Sequence, residues 1–405
     1  MWWRGWLRGL CFKGFELERT IHERYGLRPV INATCHWTAF GGTVMWPEVS
    51  VAMTEASVAC VDMRLLHDEA SVRVSARTNG EASFIVSGCA AALMVGAAAI
   101  MTGRDRRRMA SLPHTGTVDA SLKFRNGFLT RRFGRFSDIH GEYEEWGYAH
   151  AVRGAGGVFQ EVGDADLLTR EDYEAGFNEH TAGVYWVSDG LDRGISLGEA
   201  IKVSHAHGVP VLVDASNTLP PASNFHHFID LGADLVAFSG GKGLRGPQGS
   251  GILTGRRDLI EAARLQSSPV HGIGRPLKVS KEEVFGLLTA IDVWTSRDHD
   301  ADMRDALGRT SAVVEGVNRI SGLRGELKFP DHIGRPYPTA FVHIDRQTGV
   351  DAKSLLASLL TGTPSVAAMG YSDPSIVRID VRILSDEDAE SVVCAVGRAM
   401  RSIVR

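Results

Sequence analysis

Two short apolar runs, Val211-Leu212-Val213-Asp214 and Leu235-Val236-Ala237-Phe238, lie one helix-length apart and constrain this chain more than any other feature. Each is continuous and β-rich rather than alternating, the pattern of a strand buried on both faces. Strand, helix and strand in this order make a parallel pair joined by a crossover. The same alternation extends on either side, with a strand expected at 183–187, helices at 197–207 and 225–231, and a further strand at 250–253. Such a chain folds as an α/β protein with a mostly parallel sheet and helices on both faces. Its ligands are then expected at the carboxyl ends of the strands.

Two chemically distinct residues stand at those ends. The first run closes on Asp214, which could be an ordinary helix N-cap or a partner for a protonated ring nitrogen. The second opens into Ser239-Gly240-Gly241-Lys242-Gly243-Leu244-Arg245-Gly246-Pro247-Gln248-Gly249, where one lysine sits among five glycines. Lysine is scarce here, eight residues against 36 arginines, so its place at the end of a buried strand stands out. Glycines admit a close ligand approach, and a desolvated lysine becomes an amine nucleophile. That is the requirement for a Schiff base with an aldehyde cofactor, for which pyridoxal phosphate (PLP) is the natural choice. A glycine-rich surface turn with an incidental lysine would look the same in isolation.

A third element narrows the choice. In Phe84-Ile85-Val86-Ser87-Gly88-Cys89-Ala90-Ala91 a short strand meets a small-residue turn and then an apolar helix reaching Met101. Small residues leave the first helical amides open to an anion. No Gly-Lys-Ser/Thr follows, so this is not a Walker loop. Together the three elements supply a phosphate cup, a ring-nitrogen partner and a Schiff-base lysine. Lys242 and Asp214 are the expected catalytic residues. Ser87, Gly88, Cys89, Ser216 and Ser239 join them around the cofactor.

The segment 209–288 resembles the SelA-like family of PLP-dependent enzymes, the branch holding D-glucosaminate-6-phosphate ammonia-lyase and L-seryl-tRNA(Sec) selenium transferase. The matching residues are Leu212-Val213-Asp214-Ala215, the lysine loop, Gly255-Arg256-Arg257-Asp258 and His271-Gly272-Ile273-Gly274-Arg275-Pro276. Weaker matches lie at Ile31-Asn32-Ala33 and Tyr148-Ala149-His150-Ala151; the match fades at Cys35-His36-Trp37 and from Leu112 to Tyr148. The resemblance implies the PLP-dependent transferase fold type I, with a large mostly parallel-sheet domain and a smaller C-terminal α/β domain. The expected division is an N-terminal arm at 1–40, a PLP-binding domain at 41–290 and a small domain at 291–405.

The resemblance also implies a ring-stacking residue near the divergent segment, with His114, Phe133 and His140 as candidates. It implies a homodimer or higher homo-oligomer in which the Gly272–Arg275 loop approaches the neighbouring cofactor. Expected substrate ligands are Arg275, His140, and Arg378 or Arg382, the last two read as alternating on one strand at 376–383. The expected reaction is α,β-elimination of ammonia from a β-hydroxylated amino acid or 2-amino sugar acid, giving a 2-oxo acid. Selenium transfer on seryl-tRNA, transamination, racemisation and a non-catalytic PLP-binding scaffold are the alternatives.

Composition excludes several other classes. The net charge of −4 provides no global field for nucleic acid, so none is expected as a partner. Five cysteines at 11, 35, 60, 89 and 394 show no metal-ligand spacing and no disulfide framework, so no metal is expected. No apolar run is long enough to span a bilayer uninterrupted, and arginines interrupt the aromatic start Met1-Trp2-Trp3-Arg4. A cytoplasmic enzyme acting on a small-molecule amine is the expectation. Elsewhere, helices are expected at 47–66 and 70–78, from 282 onward and at 387–403.

Overall fold

The computed structural model describes residues 20–115, 125–131, 147–163, 167–188, 194–332 and 334–404. In chain order its strands are β1 (Val30–Asn32), β2 (Ala82–Val86), β3 (Gly127–Arg131), β4 (Val158–Val162), β5 (Thr181–Val187), β6 (Val211–Asp214), β7 (Leu235–Ser239) and β8 (Gly251–Gly255). They are followed by β9 (Leu323–Lys328), β10 (Thr339–Ile344), β11 (Ser365–Ala367), β12 (Met369–Gly370) and β13 (Ile376–Ile379). Seven of them form one sheet in the order β2-β8-β7-β6-β5-β3-β4. Among the described strands of that sheet, β8 runs antiparallel to both of its neighbours and the other six share one direction.

The strands are buried on both faces, as their continuous apolar composition requires. Alternate residues divide between two cores. Ile85, Val211, Val213, Val236 and Phe238 face one core with the helices Met63–Thr78, Leu197–Ala206 and Lys281–Ser296. Phe84, Val86, Leu212, Leu235 and Ala237 face the other with the helices Cys89–Thr102 and Arg257–Arg264. This is the expected α/β architecture, a mostly parallel sheet layered by helices on both sides.

A four-stranded antiparallel sheet, ordered β12-β13-β10-β9, forms the C-terminal part. The helices His299–Val317, Ala352–Thr361 and Asp386–Ile403 close a third core over it. β1 pairs in parallel with β11, and Thr34 bridges to Asp380, so residues 30–34 pack on this C-terminal part. The helix Lys281–Ser296 runs through residue 290, and the chain turns at Arg297 and Asp298. Asp298 caps the next helix by accepting from the Ala301 N–H at 2.9 Å.

Several expectations need correction. The helix expected at 47–66 is two helices, Pro47–Ser57 and Met63–Thr78. The first ends with Val58 as its C-cap, and Asp62 starts the second by accepting from the Arg64 N–H at 2.8 Å. Within the divergent stretch 112–148, residues Gly127–Arg131 are a strand between β5 and β4, and Phe128 and Leu129 are fully buried. Its flanking arginines hid it from a reading based on continuous apolar runs. The strand expected at 376–383 ends at Ile379, so Arg382 lies in a turn and does not alternate with Arg378 on one strand. Among the described residues no helix is long and apolar enough to cross a membrane.

His67 is buried against the Phe84 ring at 4.9 Å, and its Nδ1 has no hydrogen-bond partner. Burial, helped by the Arg264 charge, lowers its pKa to about 4. The unfolded chain therefore binds this proton first. Stability is fully present above the ordinary histidine value and is lost as pH falls from about 6.5 toward 4. We expect roughly 2–3 kcal/mol of destabilisation from this group at pH 4.5. Urea unfolding at pH 7 and 4.5 checks it: His67→Leu should flatten the decline, while the contributions of His36 and His332, which shift the same way, remain.

Candidate active site

Strand register assembles the site. Val187 pairs with Asp214, and Asp214 with Ala237, so the carboxyl ends of β5, β6 and β7 are level. The antiparallel β8 begins there: Gly251 pairs with Ser239 at the end of β7 and with Val86 at the end of β2. The turn Ser87-Gly88-Cys89 is thereby held beside the lysine loop. A side chain at Gly251 would strike the Cys89 amide nitrogen at 2.6 Å, so only glycine lets β8 abut this turn.

Asp214 is 2% exposed and fully engaged. The Tyr185 hydroxyl donates to its Oδ2 at 3.0 Å, and the Ser216 N–H donates to Oδ1 at 2.9 Å. The Cys89 thiol adds a long contact to Oδ1 at 3.8 Å. A buried carboxylate needs such donors to persist as an anion. Burial first, and then the Asp214 charge, push the Cys89 thiol well above its usual pKa, with the Lys242 charge opposing. Cys89 is a small neutral group at the head of its helix rather than a nucleophile.

Lys242 follows β7 on the turn Gly240–Leu244, and its Nζ makes a long 3.4 Å contact to the Ser216 Oγ. The loop is closed by the Gly240 N–H on Ser250 O at 2.9 Å and the Gly246 N–H on Gly240 O at 2.8 Å. Thr43 and the Trp46 indole clamp it from outside, donating to Gly241 O and Leu244 O at 3.0 Å each. Its glycines serve packing: side chains at 240, 241 and 243 would strike Leu287, Gln248 and Leu219. Their spacing reflects the protein's own backbone and not only ligand access.

The helix Cys89–Thr102 starts from Gly88 at φ 91° with no side-chain cap and no acidic residue in its first turn. Its open amides, with Ser87 and Ser239, suit a phosphate. This set of an amine, a buried carboxylate and an uncapped helix start fits the aldehyde, ring nitrogen and phosphate of PLP.

A cavity of about 250 Å³ opens on the other side of Lys242, lined also by Cys35, His36, Trp46, Arg245 and Arg382. Burial, reinforced by the Lys242 and Arg382 charges, lowers the His36 pKa well below the usual histidine value, so its imidazole is neutral. Cys35, at φ 69°, accepts from Arg382 Nη2 at 3.4 Å, and burial pushes its thiol up to about 12. Arg382 is paired with Asp380 at 2.8 Å and stacks on the Tyr337 ring at 3.7 Å. Arg378 is turned elsewhere, donating to Gly370 O at 3.1 Å and lying against His332.

The other expected residues are placed apart. Gly272 packs on Gln266, and Gly274 on Val95 midway along the helix Cys89–Thr102. No described contact joins Gly272 or Arg275 to Asp214 or Lys242 within one chain, and the Arg275 Nε is buried without a partner. His114 is exposed, and its neighbour Thr115 bonds to Gly156, ahead of the start of β4. It therefore lies at the amino ends of the parallel strands, the wrong end for ring stacking. Phe133 and His140 lie outside the described residues.

Sequence reading missed Tyr185, His36, Trp46 and Arg245. Tyr185 looks like core in a buried strand. The fading match at residues 35–37 was the only hint of His36.

Fold and site define a PLP-dependent enzyme of fold type I, and its relatives are those of the SelA-like branch. The family model described as SelA, L-seryl-tRNA selenium transferase, matches residues 148–313. A 5'-C-glycyluridine monooxygenase-decarboxylase from a Streptomyces species is 29% identical over 378 residues, covering 92% of this chain and 90% of that protein. The D-glucosaminate-6-phosphate ammonia lyase of Salmonella typhimurium is 27% identical over 92% of this chain and 96% of its own. The L-seryl-tRNA(Sec) selenium transferase of Aquifex aeolicus is 29% identical over only 37% of this chain and 35% of that protein. A solved D-glucosaminate-6-phosphate ammonia-lyase matches with TM-score 0.79 and 26% identity, over 95% of this chain and 99% of that one. An alanine–glyoxylate aminotransferase from Nostoc shares the fold at TM-score 0.59 and 16% identity.

The thiols offer a direct check of site geometry. Iodoacetamide at pH 8 should label the exposed Cys60 and Cys394 quickly and leave the buried Cys35 and Cys89 unmodified in the folded protein, read by peptide mass mapping. Rapid loss of Cys89 would mean that its thiol is open and ionisable.

Proposed function

We propose that this chain is a PLP-dependent lyase. It eliminates ammonia from a β-hydroxylated amino acid or a 2-amino sugar acid and releases a 2-oxo acid. The observation that carries the reading is the end-to-end structural likeness to the ammonia-lyase, in a chain that has Lys242, Asp214 and the 87–89 turn at one sheet edge.

The residue roles follow from placement. Lys242 holds the cofactor aldehyde, and Asp214 accepts from the ring N–H. Ser87, Gly88, Cys89, Ser216 and Ser239 surround the phosphate end. When bound, PLP supplies an electron sink for charge developing at the substrate Cα. The Lys242 amine, freed when the substrate amine takes its place, takes the Cα proton and, as an ammonium, returns it to the departing β-hydroxyl, which leaves as water. Water then replaces nitrogen at C2, so the net products are a 2-oxo acid and ammonia. Tyr185 and the Ser216 amide keep Asp214 oriented.

Of the two candidate arginines, Arg382 lines the cavity beside Lys242 and is the better α-carboxylate ligand. His36 offers a neutral imidazole to the β-hydroxyl in the same cavity. Gly272 and Arg275 contribute to the site of a neighbouring subunit in a homo-oligomer. The four described cysteines are free, consistent with a reducing, cytoplasmic setting. The net charge of −4, with Arg104 paired to Glu261 and Arg108 to Asp105, gives little support to tRNA as substrate.

Borohydride treatment of the yellow holoenzyme should fix the cofactor covalently on Lys242, as peptide mapping reports; a label on another lysine overturns the assignment. Asp214→Asn should lower kcat by roughly 10²–10⁴-fold, with 2-oxo acid release as the assay. A near-normal rate in that variant would mean that another group holds the ring nitrogen.

Gel-shift titration with serylated tRNA should show no specific complex at physiological salt. A submicromolar, salt-sensitive complex would move the reading to selenium transfer.

A further inference from the structure

The cavity beside Lys242 carries more positive charge than the elimination needs. Five cationic side chains line it, against the carboxylates of Asp302 and Asp305. Lys242 serves the chemistry, Arg382 is paired with Asp380, and Arg297 with Asp302. Arg245 and Arg309 remain.

Arg245 gives its Nε to Val44 O at 2.8 Å and lies over the Trp46 ring at 3.8 Å. Among the described residues no carboxylate pairs with it. Burial and the neighbouring Arg297 charge lower its pKa, the direction expected of a cation held without a counter-ion. Arg309 donates Nη2 to Arg382 O at 3.0 Å and reaches only the exposed Asp386, at 3.5 Å, while its Nε is buried with no partner.

The scaffold under Arg245 is rigid. The Trp46 ring lies under the Arg245 guanidinium at 3.8 Å and under that of Arg297 at 4.5 Å. Its indole N–H is fixed on Leu244 O at 3.0 Å. Arg245 also adopts a left-handed backbone, φ 54°, which a side chain disfavours and which persists only where its surroundings enforce it. Arg245, with no paired carboxylate and a fixed aromatic floor, and Arg309, held only by the exposed Asp386, line one cavity and make a ready anion receptor.

We propose that Arg245, braced by Trp46, and Arg309 bind a second anionic group on the substrate tail, distal to the amino carbon. A phosphate monoester and a carboxylate share the required chemistry. The inference rests on the cavity being the substrate cleft of the proposed lyase, and it narrows the substrate to a 2-amino-3-hydroxy acid with an anionic tail.

The test uses the PLP-loaded enzyme and matched pairs. D-glucosaminate 6-phosphate is compared with D-glucosaminate, and 3-hydroxyglutamate with threonine, by 2-oxo acid release. Binding of inorganic phosphate and of 3-hydroxyglutamate is followed by calorimetry. Arg245→Gly suits the left-handed backbone and should fold normally; Arg245→Lys and Arg309→Gln complete the set. At least one anionic-tailed substrate should exceed its neutral partner in kcat/KM, and Arg245→Gly should shrink that ratio by roughly 10- to 100-fold through KM. Arg245→Lys should recover part of it. The larger ratio tells phosphate from carboxylate.

Equal turnover of charged and neutral tails, or anion binding unchanged in both Arg245→Gly and Arg309→Gln, overturns the proposal. So does an absence of binding by both probes. Arg245-dependent binding with no 2-oxo acid from any substrate would instead sink the lyase reading and leave the anion receptor standing.

Discussion

The site depends on one antiparallel strand. β8 is inserted between β2 and β7 with Gly251 at its start, beside the ends of both neighbours. Without it the 87–89 turn and the lysine loop would be separate features of one sheet edge. With it, an uncapped helix start, a strand-end carboxylate and an amine share a single level. The constraint is steric, because a side chain at Gly251 would collide with the turn it must touch.

The second dependence is electrostatic. Burying Asp214 is costly unless its oxygens are satisfied. Tyr185 and the Ser216 amide do this, the first set by strand register and the second by the turn that follows β6. Tyr185 pairs with Leu212, two residues before Asp214, so its side chain lies on the face that Asp214 uses. Burial first, and then this carboxylate, hold the Cys89 thiol neutral. A polar group that could have been reactive becomes part of the wall.

The third part is the cleft, built from stretches far apart in the chain. Residues 35–46, 219–220, the lysine loop, 294–309 and the turn bearing Arg382 meet around one cavity. Their meeting relies on β1 pairing with β11 and on the Thr34–Asp380 bridge, which tie the early chain to the C-terminal sheet. Asp380 thus has two tasks, since its side chain also pairs with Arg382. Tyr337 stacks beneath Arg382 and donates to Asn217 O at 3.1 Å, joining this sheet to the loop after β6.

What could be read from the sequence was local. Asp214 and Lys242 stood out because each ends a continuous apolar run, and a buried parallel strand needs no partner information to be recognised. The 87–89 turn was legible for the same reason. β3 was not, because two arginines flank a short run whose burial comes only from lying between β5 and β4. Arg378 and Arg382 were grouped by a period-two rule that holds only within a strand, and the strand stops at Ile379. Tyr185 as the partner of Asp214, the neutral His36 and the stacked Arg245 were decided by tertiary structure alone. Each depends on register or on contact between segments far apart in sequence, and local periodicity carries no record of either.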